Sequence, residues 1–201
     1  MGPKLDALIR RLKPVAHVFE FKDETPPRID VFLDVGAELR TNGKCTILTF
    51  WFHWDHDSEN DNIEDWEPVT YILKDNAVVD IQTRPHWNIV RWLTDQPILQ
   101  NGERAIVFFS KNRHAPYLEV QPSTKVGWLR KTMTQTWWTQ EIQFALFGFI
   151  EVMGERNRYV NIPKYKVKKN HKPPSDAKAL TGIEIIGKKL FNDWYKTPEF
   201  C

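Results

Sequence analysis

Cysteine is scarce: only Cys45 and Cys201 occur in 201 residues, too few for a disulfide framework. One precedes an expected buried strand and the other is the last residue, so two free thiols in a reducing compartment are expected. Charge imbalance is also missing. Against 28 Lys and Arg stand 26 Asp and Glu, a net +2 that gives no strong nucleic-acid signal, and no segment reads as a basic recognition helix. No stretch approaches the ~20 apolar residues of a membrane span. Met1-Gly2-Pro3-Lys4 runs into a charged amphipathic segment rather than an apolar signal core, so a cytoplasmic protein is expected. Absent too are a Gly-x-Ser-x-Gly elbow, a Gly-rich phosphate loop and a His-Glu-x-x-His pair. Neither cysteine has a nucleophile's setting.

What the chain does have is aromatic mass: nine Trp and twelve Phe. Such chains are aromatic-cored or built to stack on ligands. Hydrophobic residues at 41% and charged residues at 27% mark a folded protein. With no internal repeat and no linker, residues 1–201 read as one domain.

Within the first thirteen residues, Leu5, Leu8, Ile9 and Leu12 recur at helical spacing over Lys4 to Lys13. This predicts an amphipathic helix that stops before Pro14. Val15 to Phe21 reads as extended, and Ile29 to Leu33 resumes an apolar pattern after Pro26-Pro27. Thr46 to Trp54 is β-branched and aromatic throughout, a central strand. Val69–Leu73 and Val78–Thr83, joined by Lys74-Asp75-Asn76-Ala77, read as a hairpin. Ala105 to Ser110 is a further strand, entered through the turn signal Asn101-Gly102. Thr139 to Met153 reads as a buried helix. Residues 164–174 are basic and Pro-ended, an exposed loop with an anionic docking site as the sharper alternative. The whole is mainly β, α+β overall.

The most informative stretch runs from Asp55 to Glu67 and packs seven carboxylates into thirteen residues directly after the aromatic strand. Like charges that dense repel unless water or a cation relieves them. A solvated acidic loop is the plain alternative. Asp65-Trp66-Glu67, however, leads into a strand, where residues two apart share a face. Asp65 and Glu67 then point together, with Trp66 turned toward the core. Asp57, Asp61 and Asn62 offer further oxygen ligands nearby, so a hard divalent cation is the expected occupant. A calcium helix-loop-helix fails on spacing: counted from Asp55, position six is Asn60 instead of Gly, and position twelve is Trp66 instead of Glu. His86 and His114 each stand where a strand runs out into a loop, the address of many functional residues, and join the candidate metal ligands. His53 and His56 are harder to place, and His17 and His171 carry no signal.

These segments also resemble a known family. Lys13-Pro14-Val15-Ala16 through Pro27 and Ile29-Asp30-Val31-Phe32-Leu33 resemble the opening of vacuolar-protein-sorting-type proteins. Asp61-Asn62-Ile63-Glu64-Asp65-Trp66-Glu67 resembles their Asp-His-x-Gly-Asp-Trp-Glu. It is also similar to the Gly-His-Arg-His-Asp-Trp-Glu heptad of necrosis-inducing, cytolysin-like proteins. Gln82 to Trp87 is similar to their Ser-x-His segment, and Arg104 to Tyr117 to their strand and loop ending in Ser-His-Ala. The resemblance covers roughly residues 13–120. It implies a β-sandwich with flanking helices and a divalent cation on the Asp-Trp-Glu acids, which in the necrosis-inducing branch helps engage a glycosylated sphingolipid head group. Asn62 stands in place of the motif His and Glu64 in place of the Gly; the Asn carbonyl suits calcium or magnesium better than zinc.

Three functional classes fit these residues. The leading one is a binding module whose calcium, magnesium or manganese ion recognises an anionic or glycosylated ligand, with Trp51, Trp54 and Trp87 stacking on it or simply forming core. The second is a metal-dependent phosphoester or glycoside hydrolase with His86 or His114 as general base. The third is an interaction protein without metal.

Overall fold

The computed structural model describes residues 2–55, 64–83, 90–93, 99–100, 102–118, 148, 150–173 and 201. Helix α1 (Gly2–Leu12) turns Leu5, Leu8 and Leu12 into the core. Its last turn closes through the Lys13 amide on the Ile9 carbonyl at 2.9 Å, and Pro14, which lacks the N–H a further turn needs, ends it.

Two mixed sheets follow. In the first, β1 (Val15–Phe21) lies between a parallel β9 (Arg104–Phe109) and an antiparallel β11 (Tyr159–Ile162). The order continues beyond β9 to β10 (Pro116–Leu118). Two short strands pair off this path, β2 (Arg28–Ile29) with β1 and β8 (Leu99–Gln100) with β9. The second sheet runs β12 (Val167–Lys169), β3 (Asp34–Thr41), β4 (Thr46–Trp54), β5 (Asp65–Lys74), β6 (Ala77–Thr83), β7 (Val90–Leu93). All its pairs are antiparallel except β12 with β3. The predicted central strand therefore holds a central place. The predicted hairpin is β5–β6, turned at Asp75 (φ 50°) and Asn76 (φ 68°). Two successive left-handed residues are what a tight hairpin turn requires, and Asp and Asn tolerate them best after Gly.

The sheets pack face to face through aromatic side chains. Phe52 of β4 meets Phe109 of β9 at 4.5 Å between ring centroids, and Trp54 meets the same ring at 4.9 Å. Tyr71 of β5 is fully buried, and its hydroxyl accepts the Ala105 amide at 2.9 Å. Each such side chain removed from water contributes roughly 1.5–3 kcal/mol. The mainly β, sandwich-like α+β expectation describes this architecture.

Three local expectations need correction. The cysteines are not free thiols: Cys45 and Cys201 form a disulfide across 156 residues, with Cα atoms 5.5 Å apart. In Ile29–Leu33, where the apolar pattern resumes, burial alternates along the chain. Ile29, Val31 and Leu33 are exposed while Asp30 and Phe32 are buried, because Phe32 packs edge-on against Phe52 and Trp54. The basic segment 164–174 is not a loop throughout: Val167–Lys169 is a strand whose neighbours are acidic. Lys168 pairs with Asp34 at 2.8 Å, Lys169 with Asp6 at 2.7 Å and Lys172 with Glu38 at 3.0 Å. Their charge is met within the fold, which removes much of the case for anionic docking there. Of the predicted helix over 139–153, residues 148 and 150–153 are described and helical; Val152 is buried, but Ile150 faces solvent. The rest of that segment lies outside the described residues.

Candidate functional site

The antiparallel register of β4 and β5 sets Trp54 opposite Asp65, His53 opposite Trp66 and Phe52 opposite Glu67. Directly opposed residues share a face. Asp65 and Glu67 do point together, as their spacing requires, but toward the first sheet, on the side of Trp54 and Phe52. Trp66 faces the other way and joins Trp51 in a separate small cluster. The expected orientation is thus inverted. Both faces of β4 are buried, so its aromatic run could not tell which side held the main core.

At the start of β5 Asp65 meets His114. The latter sits in the turn after β9, where the Ser110 amide donates to the Ala115 carbonyl and the His114 amide to the Ser110 carbonyl, both at 3.0 Å. Asn112 (φ 64°) and His114 (φ 51°) are left-handed, an uncommon state that a functional or structural constraint must hold. This turn lays the imidazole flat on the Trp54 indole, 4.4 Å between centroids at 8°. His114 Nδ1 lies 2.9 Å from Asp65 Oδ2, and Nε2 lies 3.3 Å from both oxygens of Asp30. The backbone fixes Asp30 in turn, its amide donating to the Phe19 carbonyl at 2.9 Å.

The group is a buried cation held between two anions. At 1% exposure, burial alone would discharge the imidazole. Its hydrogen bonds to Asp30 and Asp65 outweigh that and lift its pKa to about 9. Burial likewise pushes against the Asp30 carboxylate, yet the His114 hydrogen bond holds it below the usual carboxylate range. Close by, burial and the Glu67 charge raise the Tyr117 phenol.

This arrangement changes the role expected of His114. Both ring nitrogens face carboxylates, so the imidazole does not turn toward a cation shared with Glu67. Protonated at neutral pH, it is no general base either. Asp65 and Glu67 remain as oxygen donors on one face. The candidate ligands Asp57, Asp61, Asn62 and His86 lie outside the described residues, as does Trp87. Trp51 and Trp54 are buried; Trp54 is covered by His114 and is core rather than a stacking platform.

Sequence reading missed four residues that the fold gathers: Asp30 here, and Asp34, His53 and His171 on the opposite face of the second sheet. Asp34 and His53 are register partners on β3 and β4, yet nothing local in the sequence marks them as neighbours. Comparison of the chain with family models, curated proteins and solved structures finds no match.

Proposed function

We propose that the protein is a binding module in which a hard divalent cation, held by Asp65 and Glu67 at the start of β5, recognises an anionic or sugar-bearing ligand. The observation that carries this reading is the shared orientation of the two acids on β5. They stand beside the point where the acidic segment 55–64 leaves β4 and enters β5. With both His114 nitrogens engaged by carboxylates, the donors at this place are oxygens. That set suits calcium, magnesium or manganese rather than zinc. The resemblance to the Asp-Trp-Glu motif of the necrosis-inducing proteins supports the same placement.

The test is thermal unfolding of the wild type, Asp65→Asn and Glu67→Gln with and without each of these three cations. The wild-type melting temperature rises with cation concentration and the two variants lose that rise. A flat wild-type response, together with no metal in elemental analysis of the purified protein, refutes the reading. Metal-dependent retention on arrayed glycans and anionic lipids then separates the two ligand classes.

A further inference from the structure

On the opposite face of the same sheet, three strands bring together a second and chemically different group. Asp34 opens β3, His53 lies directly across from it on β4, and His171 follows β12. The parallel pairing of β12 with β3 ends at Lys169 opposite Ala37. Asn170 then donates its amide to the Ala37 carbonyl at 2.7 Å and takes a left-handed φ of 55°, which turns the chain back so that His171 lies over Gly36. A side chain at Gly36 would overlap the His171 carbonyl. The glycine is what lets the His171 backbone come so close.

One ligand atom from each of Asp34, His53 and His171 lies within 4.8 Å of the others. His171 Nε2 is 2.8 Å from Asp34 Oδ1, and Lys168 occupies the other carboxylate oxygen at 2.8 Å. His53 supplies the independent observation. It is only 8% exposed, yet among the described residues neither ring nitrogen has a hydrogen-bond partner. A buried imidazole left in that state is destabilising, and a ligand that engages it removes the penalty. Its Nδ1 lies 3.6 Å from Asp34 Oδ1, beyond hydrogen-bond distance, and Nε2 stands 3.4 Å from Glu64 Oε2. Trp66 stacks on the ring at 4.0 Å and 9°, and its indole N–H reaches the same Glu64 oxygen at 3.4 Å. Trp66 and Glu64 thus hold the imidazole in one orientation, with Nδ1 facing Asp34.

We propose that Asp34, His53 and His171 form a binding site for a divalent transition-metal ion of the zinc class. Two imidazoles and one carboxylate are the mixed nitrogen and oxygen donor set that zinc favours, and three protein ligands leave a fourth position for water or an external ligand. His53 ligates through Nδ1 while its Nε2–H faces Glu64, the carboxylate–histidine–metal arrangement that orients such ligands; Lys168 anchors the free oxygen of Asp34. The entering ion takes the place of the hydrogen between His171 Nε2 and Asp34 Oδ1, and both imidazoles ligate in their neutral form. This site shares no ligand with the Asp65/Glu67 pair and stands whether or not that reading holds.

The experiment is cobalt(II) titration of the full chain followed by visible absorption, then displacement by zinc, with magnesium as the control. One equivalent of cobalt gives the intense bands of a low-coordinate site, and zinc removes them. His171→Gln, at a half-buried position outside the core, and His53→Gln each weaken binding at least about tenfold. Glu64→Gln weakens it by about tenfold, the usual effect of losing such a supporting carboxylate. Glu24→Gln, at an exposed position outside both groups of ligands, leaves it unchanged. No stoichiometric cobalt binding by the wild type, or equal affinity in His171→Gln, overturns the proposal. Unfolding curves taken without metal identify any variant that has lost its fold, and His171→Gln decides the question should His53→Gln be such a case.

Discussion

The buried imidazolium between Asp30 and Asp65 makes a quantitative prediction about alkaline stability. His114 has a folded pKa of about 9 against an ordinary value of 6.5. A histidine pKa raised by folding contributes stability that is complete below the unfolded value and is lost as pH climbs through the folded one. Between pH 7 and pH 9 the unfolded chain has already released this proton while the native protein still holds most of it. Stability therefore falls by about 1.1 kcal/mol per pH unit on average, about 2 kcal/mol over the window. Taking the difference between the wild-type and His114→Gln curves removes the contribution of other groups, among them Lys13, whose pKa burial and Arg104 lower. The His17 pKa is lowered by burial and by Arg156, so that group is neutral in both states above pH 7. The buried phenols of Tyr71, Tyr117 and Tyr159 are pushed up from 10 and begin to matter only at higher pH. The assay is urea unfolding at pH 7, 8 and 9 and constant ionic strength, for the wild type and His114→Gln. The variant is the less stable at pH 7, and the gap narrows toward pH 9. NMR titration of the His114 ring gives the midpoint directly. Parallel pH curves for the two proteins, or a His114 midpoint below 7, refute the argument.

Two further predictions concern the covalent and steric ties. Cys45–Cys201 closes a loop of 156 residues, so Cys45→Ser lowers unfolding stability in urea by about 5 kcal/mol on loop-closure entropy; a reductant has no added effect on that variant, and intact-mass measurement of the unreduced wild type shows two hydrogens missing. Equal midpoints for wild type and variant remove the disulfide from the stability argument. Gly36→Ala forces a methyl into the His171 carbonyl and costs about 1–3 kcal/mol, with loss of cobalt binding at Asp34–His53–His171; an unchanged melting temperature contradicts the close approach described for Gly36.

The legible parts of this fold share one property: their signal is local. Leu5, Leu8 and Leu12 at helical spacing before Pro14 specify α1 without help from the rest of the chain. Asp75-Asn76 between two β-branched runs specifies the β5–β6 turn. Less legible were β10, β11 and β12, three or four residues each, too short for an alternating pattern to register. Their pairing partners lie far along the chain. The acid pair was half legible. Its i, i+2 spacing determined that the two carboxylates go together, but alternation alone does not say to which side when both faces of the neighbouring strand are buried.

By itself, then, the sequence determined the β-rich class, the helix and its stop, the central aromatic strand, the hairpin and the co-orientation of Asp65 with Glu67. Backbone sterics and side-chain periodicity act over a few residues, and these features need no more. Only the tertiary structure decided that Trp66 turns from the main core, that His114 is clasped by Asp30 from 84 residues away and that Cys45 meets Cys201. The same holds for His171, brought from 137 residues away to Asp34 beside a buried His53. Such meetings depend on which strands pair and in what register. The free energy of whole-core burial selects that pairing, and no short segment encodes it.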